Sequence, residues 1–526
     1  MGNDGRVESG YPREHLEHEA KLCVPPMFRV PILDHVAPGL RSEPPRHERL
    51  SATYFDTTDL ALARCGITLR HRVGDGDGRY PWTLKVPRDV SASALIRTEL
   101  TFEGPRTHPP LAAADLVRAH TRGRKLSAVA HLQTERTIIE IVNAMGEPIA
   151  EVVDDVVEAR EGKRHRITFR EIEVELDRSG AHGSRVLNAI VTQLVAAGAV
   201  ASPPQPKLIR ALGERATAHA DVCPPSTTKR DWNNSTAGVL VERTLQSSIH
   251  EMIIRDLGVR LDTDPEDLHA YRVATRRLRS NLRTFSKLLD PEWAHDLRAE
   301  LGWIGTSLGA VRNQDVLAER LKREQQRLPG QRALVMDSLL EHLDNERSAA
   351  HTALLADMRS PRYDRLIERL VAAANHPCFD DTATNLVHAP ATTVGLRLVR
   401  RTWRSLDRAI SHAGRKPTAE ALHTIRIRAK RCRYAVETLI PRMGKPAERL
   451  ASRIAALQGV LGELNDSVAA ERWLLHAGEL MPRSNECIFE LIAIETDCRA
   501  KYRREWRRLA HRVTHDDKLV RWMQHR

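Results

Sequence analysis

The chain has 526 residues, 41% hydrophobic and 29% charged, with seven cysteines and a formal net charge of +12. That length exceeds one ordinary core and predicts two domains. No apolar run is long enough to cross a bilayer, and the start, MGNDGRVESGYPREHLEHEA, lacks the basic and apolar parts of a secretory signal, which predicts a cytoplasmic protein without a membrane partner. The cysteines occur singly, with no CxxC pair, which argues against a disulfide framework or a structural zinc site and for reduced, packed thiols. Residues 1–222 hold 30 of the 81 Lys+Arg and 30 of the 69 Asp+Glu, so the whole positive excess, 51 bases against 39 acids, lies in residues 223–526. A field of that sign attracts polyanions without choosing among nucleic acid, anionic membrane and polyphosphate.

From about Glu14 to Leu212 short alternating segments are broken by turn signals, as in TLRHRV before GDGDG and REIEVEL before DRSG; they predict an antiparallel sheet. Helical spacing is confined to ADLVRAHTRGRKL and to SRVLNAIVTQLVAAG, which ends in Gly198. Charge alternates within the strands: Glu17, Glu19 and Lys21; Arg70 and Arg72; Arg97 and Glu99; Glu171, Glu173 and Glu175. On any one strand such a row reads as a solvated face. Several rows of both signs in a domain neutral overall instead suit the lining of a closed barrel, where acids and bases compensate each other. That lining fits a metal–phosphate ligand, with carboxylates on Mg2+ or Mn2+ and Arg or Lys on phosphate oxygens.

The Pro-, Ser- and Asn-rich segment DVCPPSTTKRDWNNSTAG reads as a linker. Beyond it the chain is helical, and one pattern occurs twice, 154 positions apart: His269, Arg272, Arg276, Arg277 and Arg279, then His423, Arg426, Lys430, Arg431 and Arg433. Offsets of 0, 3, 7 and 10 set the histidine and three bases on one helical stripe, and the repetition predicts two similar bundles about a pseudo-twofold axis. Each stripe is followed by a predicted Leu-Gly turn, SLGAVRNQD and VLGELND. Like charges one turn apart repel, so a stripe built twice makes sense where an anion neutralises it. Each stripe has one His among bases rather than carboxylates, which argues against a metal there.

Glu17-His18-Glu19-Ala20-Lys21 matches the ExExK signature of the CYTH, or triphosphate tunnel metalloenzyme, superfamily. YFDTTDLALARCGITLRHR with WTLK, then EIEVEL and PPQPKLIRAL, resemble its later blocks in order. The resemblance implies an α+β domain, an eight-stranded antiparallel β tunnel with flanking helices, over 12–214, and metal-assisted triphosphate hydrolysis by water. It assigns catalysis to Glu17, Glu19 and Lys21. Metal ligands would be Glu17, Glu19, Glu99, Asp155, Glu171 and Glu173, and phosphate would be gripped by Lys21, Arg70, Arg72, Lys85, Arg97, Arg136 and Lys207. Two choices stay open: Asp154 or Asp155, and Glu171 or Glu175 as the partner of Glu173. Cys23 and Cys65 read as packing.

The repeated stripe resembles the CHAD domain, a conserved-histidine α-helical module associated with inorganic polyphosphate. It would fill 238–520 after a linker at 215–237, as an all-α domain of two pseudo-twofold related bundles. Polyphosphate contacts would fall to His269, Arg272, Arg276, Arg279, His423, Arg426, Lys430 and Arg433. Where the family pattern has Arg-Asp after the first Leu-Gly, this chain has Arg312 and Asn313, leaving Asp315 and Asp466. The leading expectation is an inorganic triphosphatase with Mg2+ or Mn2+ and a polyphosphate-binding module, in the cytoplasm and at polyphosphate granules. Its alternatives are a non-catalytic polyphosphate adaptor, or thiamine-triphosphatase or adenylate-cyclase-like activity. With aromatics at 4% of the chain and no nucleic-acid motif, no specific nucleic-acid partner is expected.

Overall fold

A computed structural model of the chain describes residues 13–34, 36–74, 81–90, 95–162, 165–176, 181–201, 205–225, 235–325, 331–414, 416–516 and 520–523. It divides into two compact units, Met1–Asp221 and Val222–Arg526. The first unit runs past the expected boundary at 214 because Asp221 is tied back into it, accepting from Arg64 and Arg122 at 2.6 Å each.

The first unit is built on an antiparallel sheet. Its strands are β1 (Arg13–Cys23), β2 (Leu40–Ser42), β3 (Arg46–Asp56), β4 (Thr68–Val73), β5 (Trp82–Val90) and β6 (Leu95–Phe102), then β7 (Ser127–Asn143), β8 (Pro148–Glu161), β9 (His165–Leu176) and β10 (Val200–Ala201). Neighbours run β1-β6-β5-β4-β3-β7-β8-β9, and β9 pairs back onto β1, so eight strands close a ring. The short β2 on β7 and β10 on β1 bring the sheet to ten, two more than the expected tunnel, without altering the closure.

Because side chains alternate across a strand, closure forces one parity of each strand inward. The outward residues of β1, β8 and β9 (Ala20, Leu22, Val152, Ile172, Val174) pack under Val186, Leu187, Ile190 and Leu194 of α3 (Ala181–Ala196). The inward parity of β7 and β8 changes along its length, from Arg136 and Asp155 to the apolar Leu132, Ala130, Val157 and Ala159. Against that apolar stretch pack α4 (Lys207–Leu212) and α5 (Glu214–Thr217), through Leu208, Leu212 and Ala216. The predicted helix at 114–126 is shorter than its periodicity suggests. Helical turns cover only Leu111–Leu116 and Arg118–Thr121, because Arg122 and Gly123 turn left-handed, φ 56° and 70°, and β7 follows.

The second unit is helical. Its longer helices are α6 (Ala237–Leu261), α7 (Pro265–Thr284), α8 (Pro291–Gln325), α9 (Gln331–Arg359) and α10 (Pro361–Asn375), then α11 (Ala391–His412), α12 (Ala419–Glu437), α13 (Lys445–Leu480) and α14 (Asn485–Thr514). Helices α11 to α14 each begin 154 residues after α6 to α9, so the repeat seen in the motif covers four helices per copy. Starts are capped where sequence rules place caps: Asp264 accepts from Glu266 N ahead of Pro265, and Thr418 accepts from Ala421 N. The copies are joined by a core of α8, α9, α13 and α14 (Leu317, Leu343, Leu474, Leu491). Across it, Arg320 grips Glu495 at 2.6 Å and Glu463 at 2.6 Å.

The predicted Leu-Gly turns are not turns: both segments lie inside α8 and α13. In α8 glycine gives close clearance only at Gly302, outside that segment. A Cβ at Gly309 would sit 3.8 Å from the Arg272 guanidinium, and one at Gly302 would sit 3.2 Å from that of Arg279. No helix of the described residues is long and apolar enough to cross a membrane.

Candidate functional site

The barrel encloses a cavity of about 430 Å³ whose described lining carries six carboxylates and eight cations. Strand register explains how they meet. Lys21 on β1 lies opposite Glu173 on β9 and Glu19 opposite Glu175, while Lys85 on β5 faces Glu99 on β6 and Arg136 on β7 faces Asp155 on β8. Residues far apart in the chain thus become cross-strand pairs.

Ion pairs fill the lumen. Lys21 bonds Glu173 and lies 3.5 Å from Glu19 and 3.9 Å from Glu171. Arg97 bonds Glu19, and Lys85 meets Glu99 at 2.8 Å. Arg136 donates twice to Asp155, at 2.9 and 2.8 Å. Lys207, the first residue of α4, is delivered by the packing of that helix to Asp155 (2.9 Å), Glu171 (3.2 Å) and Glu173 (2.5 Å).

These contacts decide the protonation states. Burial favours a neutral Asp155, but Lys207 and Arg136 outweigh it and hold the carboxyl at about 2. Burial lowers Lys207, yet Asp155 and Glu171 carry it above the ordinary lysine value; for Lys21 burial prevails and the ammonium is lowered. Burial and the neighbouring Glu175 push the Glu151 carboxyl up. Tyr54 is opposed by burial but drawn below the ordinary phenol value by the charge and hydrogen bond of Arg70.

Glu19, Glu173 and Glu175 present ligand oxygens all within 4.8 Å of one another. A buried set of carboxylate oxygens is the donor chemistry that Mg2+ or Mn2+ takes, so these residues fit a divalent ion. Of the two open choices, Asp155 faces inward and Asp154 outward, where it bonds Arg170 at 2.9 and 2.6 Å. Glu175 shares the three-carboxylate cluster with Glu173, whereas Glu171 is held by Lys207 and by Arg210 at 3.0 Å.

Arg70, Arg72 and Glu99 line the cavity. Glu17 pairs with Arg97 in the strand register, but its side chain lies outside the described residues. Sequence reasoning did not single out Arg46, Glu48, Tyr54 or Glu151, which also line the cavity. Arg46 and Glu48 carry the same alternating signal, in RHERL. Asp56, in the YFDTTD block, serves the backbone rather than the lumen: its carboxylate accepts from the amides of Thr57, Leu62 and Ala63.

In the helical unit α7 and α12 bring the inner parts of both stripes together. Arg272, Arg276, Arg426 and Lys430 are close enough for their charges to act on one another, with Asp466 as a nearby carboxylate. No ion pair reaches Arg272, Arg426 or Lys430 among the described residues. Burial, then the charges of Arg276, Arg426 and Arg272, pushes the Lys430 ammonium down to about 6. Burial and Arg312 lower His269.

The stripes do not converge along their whole length. Arg433 pairs with Glu437 at 3.2 Å, Arg279 lies against Gly302 of α8, and His423 is exposed. Of the two remaining acids only Asp466 reaches this groove; Asp315 is bonded by Arg347 at 2.7 Å. The seven cysteines are free thiols; Cys432 and Cys487 are buried, while Cys378 is exposed rather than packed.

A CYTH domain matches residues 15–183 and a CHAD domain residues 243–475. Two uncharacterized proteins of Mycobacterium tuberculosis, from strains CDC 1551 and H37Rv, are 30% identical over 489 residues, 89% of this chain and 90% of theirs. The chain belongs to the CYTH–CHAD family. Its barrel is therefore of the triphosphate tunnel metalloenzyme class. Among solved structures, the CHAD domain of the plant Ricinus communis is 25% identical, with 53% of this chain and 92% of that one covered at a TM-score of 0.45. A putative adenylate cyclase from Bacillus halodurans is 20% identical, with 38% and 99% covered at a TM-score of 0.27.

Proposed function

We propose that the barrel hydrolyses inorganic triphosphate with Mg2+ or Mn2+ and that the helical unit binds polyphosphate. The observation that carries the reading is the joint presence, in one cavity, of the Glu19, Glu173 and Glu175 cluster and the cations Arg70, Arg72, Lys85, Arg97 and Arg136. A divalent ion on those carboxylates supplies charge neutralisation at the phosphate oxygens and makes a bound water more acidic.

The side chains do the rest. Arg70, Arg72, Lys85 and Arg136 offer hydrogen-bond donors to phosphate oxygens, and Lys21 and Arg97 hold Glu173 and Glu19 in place. A water attacks the terminal phosphorus, the bond to the diphosphate leaving group breaks, and the water's proton passes to a lumen carboxylate. Tyr54 is the sole aromatic residue of the described lining, which supports an inorganic substrate over one carrying a base or a thiamine ring.

For the helical unit the supporting observation is the group Arg272, Arg426 and Lys430, whose charges act on one another or on Arg276 with Asp466 as a nearby carboxylate and without an ion pair among the described residues. The experiment is phosphate release from tripolyphosphate, ATP and thiamine triphosphate with Mg2+ or Mn2+, beside binding of long polyphosphate. Tight, salt-sensitive binding with negligible turnover of all three would replace the enzyme by an adaptor. Preferential turnover of ATP or thiamine triphosphate would move the substrate within the same site.

A further inference from the structure

The repeat in the helical unit contains its own control. Helices α11, α12 and the end of α7 enclose a cavity of about 510 Å³ lined by Arg283, Arg401, Arg408, Arg428 and Arg431. Hydroxyl side chains and one isoleucine complete the described lining, without a carboxylate or an aromatic ring. None of the five arginines forms an ion pair among the described residues.

Four of them are aimed by the backbone, Arg408 through the Arg404 carbonyl of its own helix at 3.2 Å. Arg431 donates to the Arg283 carbonyl at 3.0 Å, Arg401 to that of Thr284 at 3.1 Å, and Arg428 to that of Ser405 at 3.0 Å. The Arg283 and Thr284 carbonyls end α7, where cations are favoured. One N–H of each fork is thereby fixed while others remain for a ligand, and the Arg431 Nε is buried without a hydrogen-bond partner. Burial and the charges of Arg401, Arg283 and Arg298 bring Arg431 down to about 10.

The 154-residue offset locates the sister cavity, of about 180 Å³, lined by Ser247, Arg277 and Glu437 among others. There Ser247 stands for Arg401 and Ala274 for Arg428. Arg277 stands for Arg431, and Glu437 takes the place of Arg283. Arg277 is neutralised by Glu437 at 2.9 Å. The described lining of that cavity holds two arginines, Arg243 and Arg277, and one glutamate against five arginines and no carboxylate in the other, so packing alone does not require the extra arginines.

We propose that the cavity of Arg283, Arg401, Arg408, Arg428 and Arg431 is a second site for condensed phosphate, built in one repeat only and separate from the groove of Arg272, Arg276, Arg426 and Lys430. The identity of its anion rests on the polyphosphate reading of the helical unit; the site itself does not. Guanidinium forks match phosphate oxygens, and the lack of a ring to stack on disfavours single-stranded nucleic acid. Arg298, whose charge interacts with Arg279 and Arg283, joins the end of the first stripe to this cavity, so one long chain can touch both.

The test uses the full chain and three variants: Arg283→Glu/Arg401→Ser/Arg428→Ala, which installs the sister copy's residues; Arg272→Ala/Arg426→Ala in the groove; and both sets together. Binding of long polyphosphate and of duplex DNA is measured against salt. The cavity variant should bind long polyphosphate about tenfold more weakly, with a log–log salt slope smaller by about 2, three contacts at about 0.7 each. Its tripolyphosphate hydrolysis and circular dichroism should be unchanged. The groove variant should keep salt-sensitive binding that the combined variant loses.

An unchanged affinity and slope in the cavity variant overturns the proposal, as does an equal loss toward polyphosphate and DNA. A groove variant that binds like the parent while the cavity variant fails overturns the groove reading and leaves the cavity. Should the triple change unfold the chain, Arg401→Ser alone carries the test, with an expected loss of about threefold.

Discussion

In the barrel, Lys21, Lys85, Arg97, Arg136 and Lys207 each reach a carboxylate. In the helical unit, Arg272, Arg426 and Lys430 have Asp466 in the neighbourhood but no ion pair among the described residues. The shifts follow. Lys207 and Arg136 are raised by their acids against burial, whereas burial and like charges lower Arg272, Arg426 and Lys430. A lumen that supplies its own counterions is preorganised, and under the proposed function a triphosphate that takes over its cations must bring a metal ion for the carboxylates left behind. A groove in which Arg272, Arg276, Arg426 and Lys430 outnumber one nearby carboxylate costs stability that a bound anion would restore. Positive charge is therefore neutralised within one unit and left in excess in the other.

Breaking the metal cluster should have the largest effect. Glu19→Gln/Glu173→Gln is expected to lower tripolyphosphate turnover about 10²–10³-fold, the range for losing a major electrostatic group, with long-polyphosphate binding intact; chelating divalent ions should abolish turnover altogether. Retained turnover would place the metal elsewhere.

Next comes stability. Asp155→Asn takes the twofold partner from Arg136 and one of three carboxylates from Lys207 and should cost about 1.5–3 kcal/mol, the scale of a hydrogen bond to a charged group, read as a lowered urea midpoint. Because the Asp155 carboxyl sits at about 2 in the fold, below an unfolded value of about 3.9, its contribution is complete above about pH 4 and is lost as pH falls toward 2. The variant should flatten that part of the pH profile.

The groove should respond with the opposite sign. Arg272→Ala or Arg426→Ala is expected to weaken polyphosphate binding about tenfold yet raise ligand-free stability by about 0.5–1 kcal/mol, the scale of relieved surface charge. A fall in stability would mean that these arginines are structurally neutralised after all. The smallest effect concerns Lys430. With its ammonium at about 6, polyphosphate binding must take up a proton near neutral pH, so affinity should drop a few-fold between pH 6 and 8. Lys430→Arg, always charged, should remove the slope. The same depressed value means that ligand-free stability rises with pH from about 6 upward, as the penalty of a charged Lys430 is lifted.

Much of the site was legible because the signals were local. Alternation in TLRHRV and EIEVEL marks inward faces whatever the partner strand, and the 0, 3, 7, 10 spacing marks a stripe on any helix. Leu-Gly in SLGAVRNQD misled for a physical reason. Glycine punctuates turns on average, but Gly309 and Gly462 lie in mid-helix, where bundle packing carries α8 and α13 through a local turn signal. The choice of Asp155 over Asp154 and the grouping of Glu175 with Glu19 and Glu173 depend on the register of β8 and β9, which short segments do not specify.

By itself the sequence determined two units, a sheet bearing charge of both signs and a helical repeat bearing excess positive charge, since periodicity and composition are properties of segments. Tertiary structure alone decided which charges are neutralised. The ring brings carboxylates to Lys21 and Lys207, and the packing of α7 on α12 leaves Arg272 and Lys430 facing each other. Pairing energy depends on distances between segments that no local pattern contains.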